Sequence, residues 1–285
     1  MIDIAIIGAG PAGLSAAITG AIRNRKVTVF GNHISTSFIY KADKVNNYLG
    51  LKGVSGKEMM ENFEKHAKDL GVDIQYGKVI DIFPMGTHYT LNVENNFIEA
   101  KTVILANGLS KTKVLEGEQE LLGRGVSYCA TCDGMLYRGK DVIVVADSSH
   151  AEEEAEFLAE ICNKVTYIPL YKEINKLSDK IEVVKVRPTK ILGENAVSGI
   201  EYDGGKIEAS GVFLLNDNVP TTKLLNGIEL DGTSIKVNRY METNLPGVFA
   251  AGDCTGKPYQ VAKAVGEGST AVLQAINYLY EQENK

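Results

Sequence analysis

The chain is poor in cysteine, with only four in 285 residues. That is too few for the disulfide-stapled scaffold of a small secreted protein, and it fits a reducing, cytoplasmic environment. No apolar run is long enough to cross a bilayer, and no basic segment precedes the N-terminal apolar stretch, so we expect neither a membrane anchor nor a signal peptide. The net charge of −6 gives no reason to expect nucleic acid or a membrane as a partner. The length suits two domains of ordinary size or one large one.

Two of the cysteines, Cys129 and Cys132, stand two residues apart and are followed by Asp133. This spacing is typical of a redox dithiol, whose thiolate is the reactive form, and a neighbouring acid can donate or accept the proton. The same spacing is also half of a zinc site. The other half is missing, because Cys162 and Cys254 are isolated and no histidine stands in a ligand pair. The pattern therefore favours redox chemistry without a metal, and we interpret the two isolated cysteines as small buried apolar residues.

The N-terminal segment predicts a dinucleotide-binding unit. Residues 3–7 are a short β-branched run typical of a buried parallel strand, and a helical pattern follows residues 8–13. Strand, G-x-G-x-x-G and helix in this order are the context that the dinucleotide fingerprint requires, although a tight strand–helix turn without a ligand is the alternative. The second strand ends in Gly31 instead of the acid that usually holds a ribose. The fingerprint residues expected at a pyrophosphate are Gly8, Gly10, Pro11, Ala12 and Gly13.

Two later segments also have the pattern of buried strands that end in small or polar turn residues. One occupies residues 102–108 and the other residues 247–253. Turns at the carboxyl ends of strands border the ligand crevice of a doubly wound sheet. Asp253 could accept a hydrogen bond from a ribityl hydroxyl, or it could simply cap the helix predicted at residues 260–276. The turn residues expected at the crevice are Ala106, Asn107, Gly108, Gly252 and Asp253.

The segment after the C-x-x-C repeats the opening of the chain but has lost its glycines. Residues 142–151 align with the first strand and the fingerprint, and a helix is predicted after them. Ala146 and Ser148 replace the first two glycines, and a Cβ at the second position crowds the approach of a pyrophosphate. Asp147 and the acids at residues 152–154 add negative charge where phosphates would lie. Since no arginine pair stands ready for a 2′-phosphate either, NADPH binding is disfavoured here.

Together these motifs resemble the low-molecular-weight thioredoxin reductases over nearly the whole chain. The resemblance implies an α/β fold with two Rossmann-like, doubly wound, three-layer domains of the pyridine nucleotide-disulfide oxidoreductase type. It implies a discontinuous FAD-binding domain at residues 1–111 and 240–285. A central redox domain with the C-x-x-C and a degenerate NAD(P)H-binding fold would then occupy residues 112–239. Further FAD contacts implied by the resemblance are Asn47, Val79, Gln260, Val261 and Ala262.

The departures from the family pattern resemble the branch of flavin thioredoxin reductases that ferredoxin reduces. The nucleotide glycines and the arginine pair are absent, as is a Gly-Gly-Gln-Leu run expected near residues 35–38. The implied activity passes electrons from ferredoxin through FAD and the dithiol to thioredoxin, in a homodimer. By the same resemblance, Cys132 forms the charge-transfer thiolate, Cys129 exchanges with thioredoxin, and Asp133 moves the proton. Two alternatives stay open: an NADPH-dependent reductase with a divergent nucleotide site, and a flavin redox sensor without turnover.

The implied electron path also predicts how partners reach the dithiol. One dithiol must meet both a buried flavin and a protein disulfide, so we expect a domain rearrangement hinged at residues 111–114 and 238–243. Ferredoxins are usually acidic, so we expect them to dock on a local basic patch despite the net negative charge. The two basic clusters evident in the sequence are Arg23, Arg25 and Lys26, and Lys185, Arg187 and Lys190.

Overall fold

A computed structural model describes residues 1–109, 115–175, 177–216 and 221–284. The chain divides into two compact units, one formed by Met1–Leu109 with Pro220–Lys285 and the other by Ser110–Val219. Residues 221–239, which the sequence analysis places in the central domain, therefore lie with the first unit. The Asn244 side chain attaches them there, because it donates to the Gly227 carbonyl (2.8 Å) and accepts from the Glu229 amide (2.9 Å).

The first 109 residues supply most of a seven-stranded sheet and two helices. The strands are β1 (Ile2–Ile7), β2 (Val27–Gly31), β3 (Asp73–Tyr76), β4 (Val79–Pro84), β5 (Tyr89–Val93) and β6 (Asn96–Leu105), and the helices are α1 (Pro11–Ile22) and α2 (Gly56–Asp69). The strand order is β3-β2-β1-β6-β5-β4. The long strand β6 pairs with β1 in parallel and with β5 in antiparallel, so it joins a Rossmann-like half to an antiparallel meander.

The central unit contains a five-stranded parallel sheet and a three-stranded antiparallel sheet. The parallel order is β10-β9-β8-β14-β7, and the second sheet runs β11-β12-β13. The elements are β7 (Val126–Ser127), α3 (Ala130–Asp133), β8 (Asp141–Ala146), α4 (Ala151–Ile161), β9 (Lys164–Pro169), β10 (Ile181–Val183), β11 (Pro188–Gly193), β12 (Val197–Tyr202), β13 (Gly205–Glu208) and β14 (Gly211–Leu215).

Alternating side chains of the parallel strands give the central unit its three layers. Val142 and Val144 of β8 pack in one core with Leu158 of α4. Ile143 and Val145 point the other way and pack in a second core that includes residues of the antiparallel sheet. The buried strand β8 is apolar on both faces because both faces are covered, as expected for a parallel sheet.

The last segment returns to the first unit and completes its sheet. Its elements are α5 (Thr221–Leu224), β15 (Leu230–Asp231), β16 (Ser234–Ile235), β17 (Val248–Ala250) and α6 (Val261–Glu283). Strand β17 pairs in parallel with the carboxyl-terminal half of β6, and α6 packs along α1. The two helices pack so closely that a Cβ at Gly268 would stand 2.1 Å from the Ala12 carbonyl oxygen, so only glycine fits there. The predicted fold class, an α/β protein with two Rossmann-like domains, is confirmed. No helix within the described ranges is both long and apolar enough to span a bilayer.

Of the two segments predicted as hinges, the structure describes only the second. Residues 111–114 lie outside the described residues. Residues 238–243 lie inside the first unit and form a tight turn, in which the Asn238 amide donates to the Glu242 carbonyl (3.0 Å) and the Met241 amide donates to the Asn238 carbonyl (3.0 Å). The hinge at residues 238–243 stays a prediction, and the turn described here is the segment that would bend.

Candidate active site

Three strands of the first unit end side by side and bring the predicted crevice residues together. The Ala106 amide donates to the Ile7 carbonyl (2.8 Å), and the Ala251 amide donates to the Leu105 carbonyl (2.9 Å). The carboxyl ends of β1, β6 and β17 therefore meet at one edge of the sheet. The fingerprint turn and the turns after β6 and β17 all lie at this edge, where ligands of doubly wound sheets bind.

The fingerprint glycines have the three geometries that a phosphate turn needs. Gly8 has a φ of +120°, and a Cβ there would lie 2.2 Å from the Ala106 carbonyl oxygen. A Cβ at Gly13 would lie 1.8 Å from the Gly8 carbonyl oxygen, so no side chain fits at either position. Gly10 faces open space, with no atom within 4 Å of its ideal Cβ. Two glycines close the turn, and the third leaves room for a ligand.

Helix α1 presents an unobstructed N-terminus at this turn. Gly10 is its N-cap and offers no capping side chain, Pro11 occupies the first turn, and the first turn contains no acid. The backbone N–H groups and the positive end of the helix dipole are therefore available to an anion. The residues of this turn fit the pyrophosphate of a dinucleotide.

Asp253 stands at the same edge with a carboxylate that is ready to bind a ligand. Gly252 has a φ of +89°, and a Cβ there would lie 2.9 Å from the Ala12 Cβ, so this turn lies against the start of α1. Within the described part of the chain, no group hydrogen-bonds the Asp253 side chain. Burial raises the pKa of Asp253, and the charge of Lys263 opposes that rise. An acceptor in this position suits a polyol hydroxyl.

Two residues that the sequence analysis missed hold this turn in place. Lys263 Nζ donates to the Gly252 carbonyl (2.8 Å) and to Thr255 Oγ1 (2.9 Å). Glu267 Oε2 accepts from the Gly252 amide (2.8 Å) and forms an ion pair with Lys263 (3.0 Å). The i,i+4 spacing of Lys263 and Glu267 on a helix start was their only sequence signal.

The remaining predicted cofactor residues are distributed around the same unit. Asn47 Nδ2 donates to Gln260 Oε1 (2.7 Å), which joins two distant predicted contacts. Gln260 is the N-cap of α6, and Val261 and Ala262 are its first residues. Asn107 and Gly108 follow β6 directly. Val79 begins β4, where it is buried opposite Val93.

In the central unit, the two cysteines of the C-x-x-C form a disulfide. Their Cα atoms are 5.3 Å apart, and Cys129 precedes the short helix α3 that contains Cys132. Cys129 Sγ accepts a hydrogen bond from the Cys132 amide (3.1 Å). Cys129 is 5% exposed, whereas Cys132 and Asp133 are partly exposed. The arrangement can be reduced to a dithiol and closed again.

Ser127 links the disulfide to Asp133, and the sequence analysis missed it. Its side chain is 3% exposed, and its Oγ accepts from the Cys129 amide (3.1 Å) while donating to Asp133 Oδ2 (2.7 Å). Ser127 therefore fixes where the carboxylate lies relative to the first cysteine. A serine two residues before a C-x-x-C carries no strong signal by itself, because serines are common in turns.

Replacing Ser127 with alanine should slow thiol–disulfide exchange with a protein disulfide by about tenfold or more. The variant loses the hydrogen bond from Ser127 to the Asp133 carboxylate, and a bond of this kind contributes about 1.5–3 kcal/mol. Its loss should slow the proton transfer that we assign to Asp133. The measurement is the single-turnover rate of exchange by the pre-reduced protein across pH, with Ser127→Thr as the matched control that retains the hydroxyl. A loss of rate in Ser127→Thr equal to that in Ser127→Ala, or a flat response in both, would contradict the prediction.

In the degenerate nucleotide fold of the central unit, two acids of α4 accept hydrogen bonds from residues of the same unit. Glu152, in the first turn of α4, is buried and accepts from Tyr171 Oη (2.5 Å), the Asn175 amide (3.1 Å) and Asn175 Nδ2 (2.7 Å). Burial would raise the pKa of Glu152, but these hydrogen bonds outweigh it and hold the pKa below its usual value. Glu154 accepts from the Ala130 amide in α3 (3.2 Å). The buried Glu152 carboxylate thus joins the first turn of α4 to the residues that follow β9. A dinucleotide in a fold of this kind binds near the carboxyl ends of the strands, and the N-terminus of this helix would face its phosphates.

The two isolated cysteines differ from each other. Cys254 is buried, and burial raises its pKa to about 12, so it is an inert apolar residue as predicted. Cys162 is only partly buried, so its interpretation as a buried residue was wrong. It ends α4, where the chain turns back to the surface, and burial beside Asp141 still raises its pKa.

Each basic cluster loses one member to an internal contact. Arg25 lies over the Tyr280 ring (4.4 Å) and pairs with Glu283 (3.0 Å). Lys190 pairs with Glu116 (2.6 Å). Neither side chain is freely available for a partner. The first cluster therefore loses Arg25, its middle residue, as a docking charge.

The sequence matches the family model described as pyridine nucleotide-disulphide oxidoreductase over residues 2–268. Among solved structures, it is similar to a ferredoxin-flavin thioredoxin reductase from Clostridium acetobutylicum. That similarity has 45% identity and a TM-score of 0.96, and it covers 100% of this chain and 99% of the other.

The curated relatives include both a thioredoxin reductase and an NADH dehydrogenase. The chain is 33% identical to a thioredoxin reductase of Aquifex aeolicus, across 97% of this chain and 93% of that protein. It is 32% identical to an NADH dehydrogenase of Bacillus subtilis, across 97% of this chain but only 58% of that longer protein.

Proposed function

The chain belongs to the pyridine nucleotide-disulphide oxidoreductase family, and we propose that it is a flavin-dependent thioredoxin reductase reduced by ferredoxin. Family membership confirms the resemblance that the sequence motifs indicate. The observation that carries the proposal is a contrast between the two Rossmann-like units. One keeps an open phosphate turn at Gly10, whereas the other uses the buried Glu152 carboxylate to bind Tyr171 and Asn175 and carries the disulfide.

The phosphate turn and Asp253 would hold FAD, whose chemistry would be to take up electrons singly and to supply them in pairs. Two electrons and two protons convert the Cys129–Cys132 disulfide into a dithiol. A thiolate of this dithiol then attacks the thioredoxin disulfide to form a mixed disulfide. The second thiolate attacks that bond, which releases thioredoxin as a dithiol and closes the enzyme disulfide again. Asp133, oriented by Ser127, moves the proton between these steps.

We assign Cys132 to the flavin and Cys129 to thioredoxin. Cys129 is 5% exposed, so a protein disulfide reaches it only after its surroundings move. This burial supports a rearrangement between the flavin-reduced state and the exchange state. Met135 and Leu136 lie three and four residues after Cys132 and are 54% and 69% exposed, which suits an apolar contact with thioredoxin. Homodimer assembly and a cytoplasmic location are part of the same proposal.

Turnover under anaerobic conditions tests the function. We expect the purified protein to release FAD, not FMN, on acid treatment, and to reduce thioredoxin with photoreduced ferredoxin as the only electron source. Omission of either protein partner should stop thiol formation, which a thiol reagent measures. Flavin reduction without thiol formation would indicate a redox sensor instead. Turnover with NADPH as the sole donor would indicate a reductase with a divergent nucleotide site.

A further inference from the structure

A loop rich in lysine lies between the first helices of the flavin-binding unit. Residues 41–57, the lysine loop, include only one acid, Asp43, in a chain whose net charge is −6. The loop connects a 3₁₀ turn at Ile39–Lys41 to the start of α2. Its basic residues are Lys41, Lys44, Lys52 and Lys57.

The lysine loop has a defined conformation. The Val45 amide donates to the Val54 carbonyl (2.8 Å), and the Gly53 amide donates to the Val45 carbonyl (2.9 Å), so its two arms are paired. Lys44 and Lys52 flank this pairing on opposite arms. Leu49, between the arms, is 97% exposed. A paired loop therefore presents an apolar tip between two exposed positive charges.

Three of the four lysines in this loop have no charge partner among the described residues. Lys41, Lys44 and Lys52 are exposed, and none of them forms an ion pair with any described residue. Lys57 has only a loose contact with Glu61 (3.9 Å) on an exposed helix face. Isolated exposed charges of one sign create a local field that attracts an oppositely charged partner.

The lysine loop is continuous with the cofactor contacts. Asn47 belongs to the loop, and its side chain donates to Gln260, which caps α6 (2.7 Å). Both residues are among the predicted FAD contacts. A carrier that docks on this loop would therefore deliver electrons beside the cofactor, whereas Lys185 and Arg187 belong to the other unit.

We propose that the lysine loop is the docking surface for a small acidic iron–sulfur protein that reduces the flavin one electron at a time. The partner is identified by complementary charge around an apolar contact at Leu49. Two molecules of reduced carrier each lose one electron at this surface for every disulfide that is reduced. The inference rests on the proposed function, of which it specifies the electron entry.

The test compares two pairs of charge reversals in the full-length, FAD-loaded protein. Lys44→Glu with Lys52→Glu alters the loop, and Lys185→Glu with Arg187→Glu makes the same change in net charge in the central unit. The readout is the second-order rate of flavin bleaching by photoreduced bacterial ferredoxin, at low and at high salt. We expect the loop pair to lower this rate by at least about tenfold at low salt and to flatten its salt dependence. The control pair should stay within about twofold, since it keeps the loop intact and only the long-range effect of net charge remains.

Two further measurements distinguish a loss of ferredoxin docking from a loss of FAD. Dithionite should bleach both variants as fast as the wild type, and the milder pair Lys44→Gln with Lys52→Gln should give an intermediate loss if the reversed pair does not retain FAD. Equal losses in the loop and control pairs, no loss in the loop pair, or a loop variant that changes the oligomeric mass would each overturn the docking surface. Failure of ferredoxin to bleach the wild-type flavin would overturn the proposed function itself.

Discussion

Replacing Cys132 with serine should abolish thioredoxin reduction, with a loss of about a thousandfold or more, as for removal of a reacting nucleophile. The variant cannot form the Cys129–Cys132 disulfide that accepts electrons from the flavin. Flavin reduction by ferredoxin should continue at the wild-type rate, because the cofactor residues lie in the other unit. Steady-state turnover and single-turnover bleaching measure the two effects separately.

Cys129→Ser is the matched variant, and it should lose turnover to the same extent. It leaves a thiolate at position 132, which we expect to produce a long-wavelength absorption band with the oxidised flavin at mildly alkaline pH. Cys132→Ser should lack that band. The opposite pattern, with the band present only in Cys132→Ser, would reverse the roles that we assign to the two sulfurs.

NADPH should fail to reduce the flavin at concentrations where reduced ferredoxin bleaches it rapidly. The missing charged contact to a 2′-phosphate alone costs about 1.5–3 kcal/mol. The Ser148 side chain and the acids of α4 add steric and electrostatic conflict. Together they should weaken NADPH binding by at least about a hundredfold, because each 1.4 kcal/mol is tenfold.

Anaerobic stopped-flow mixing compares the two donors directly. Absorbance of the flavin is followed after mixing with micromolar NADPH or with reduced ferredoxin. Glu152→Gln tests whether the Glu152 charge alone prevents NADPH binding, because it removes the charge and keeps the shape of the side chain that Tyr171 and Asn175 bind. Since the glycines are still missing, this variant should also remain unreactive toward NADPH. Rapid bleaching of the wild-type flavin by NADPH would refute the exclusion.

The fold was predictable where sequence signals are local. The glycine turn and the apolar strands around it predict β1, α1, β8 and α4, because burial of a parallel strand and a tight turn restrict composition strongly. The apolar run at residues 102–108 predicts only the last part of β6, which begins at Asn96. Lys101 pairs with Asp3 of the neighbouring strand (2.8 Å), so the charge does not end the strand. The place of residues 221–239 in the first unit was missed, because the bonds from Asn244 to Gly227 and Glu229 have no signal in the sequence.

The sequence predicted the reactive and cofactor-binding residues of the site, but not the residues that hold them in position. The cysteines and the phosphate turn have fixed spacings, so they are visible in the sequence. Ser127, Glu152 and Lys263 act through hydrogen bonds whose partners are set by tertiary folding. The i,i+4 spacing of Lys263 and Glu267 predicts their ion pair, but it does not predict the bond from Lys263 to the Gly252 turn. The structure gives a reason why Gly31 stands where a ribose-binding acid is usual. A Cβ there would lie 3.0 Å from the Ala9 amide nitrogen, so a side chain would crowd the turn.

The close packing of α6 on α1 makes the candidate cofactor crevice depend on segments that lie far apart in the sequence. The Gly252–Ala12 approach, the Asn47–Gln260 contact and the Gly268–Ala12 approach each join the first 50 residues to residues after 250. Strand β17, which pairs with β6 at the edge of this crevice, comes from the same later segment. The central unit is instead one continuous stretch of the chain. The thiol-bearing unit can therefore fold from a single segment, whereas the crevice forms only after two distant segments have met.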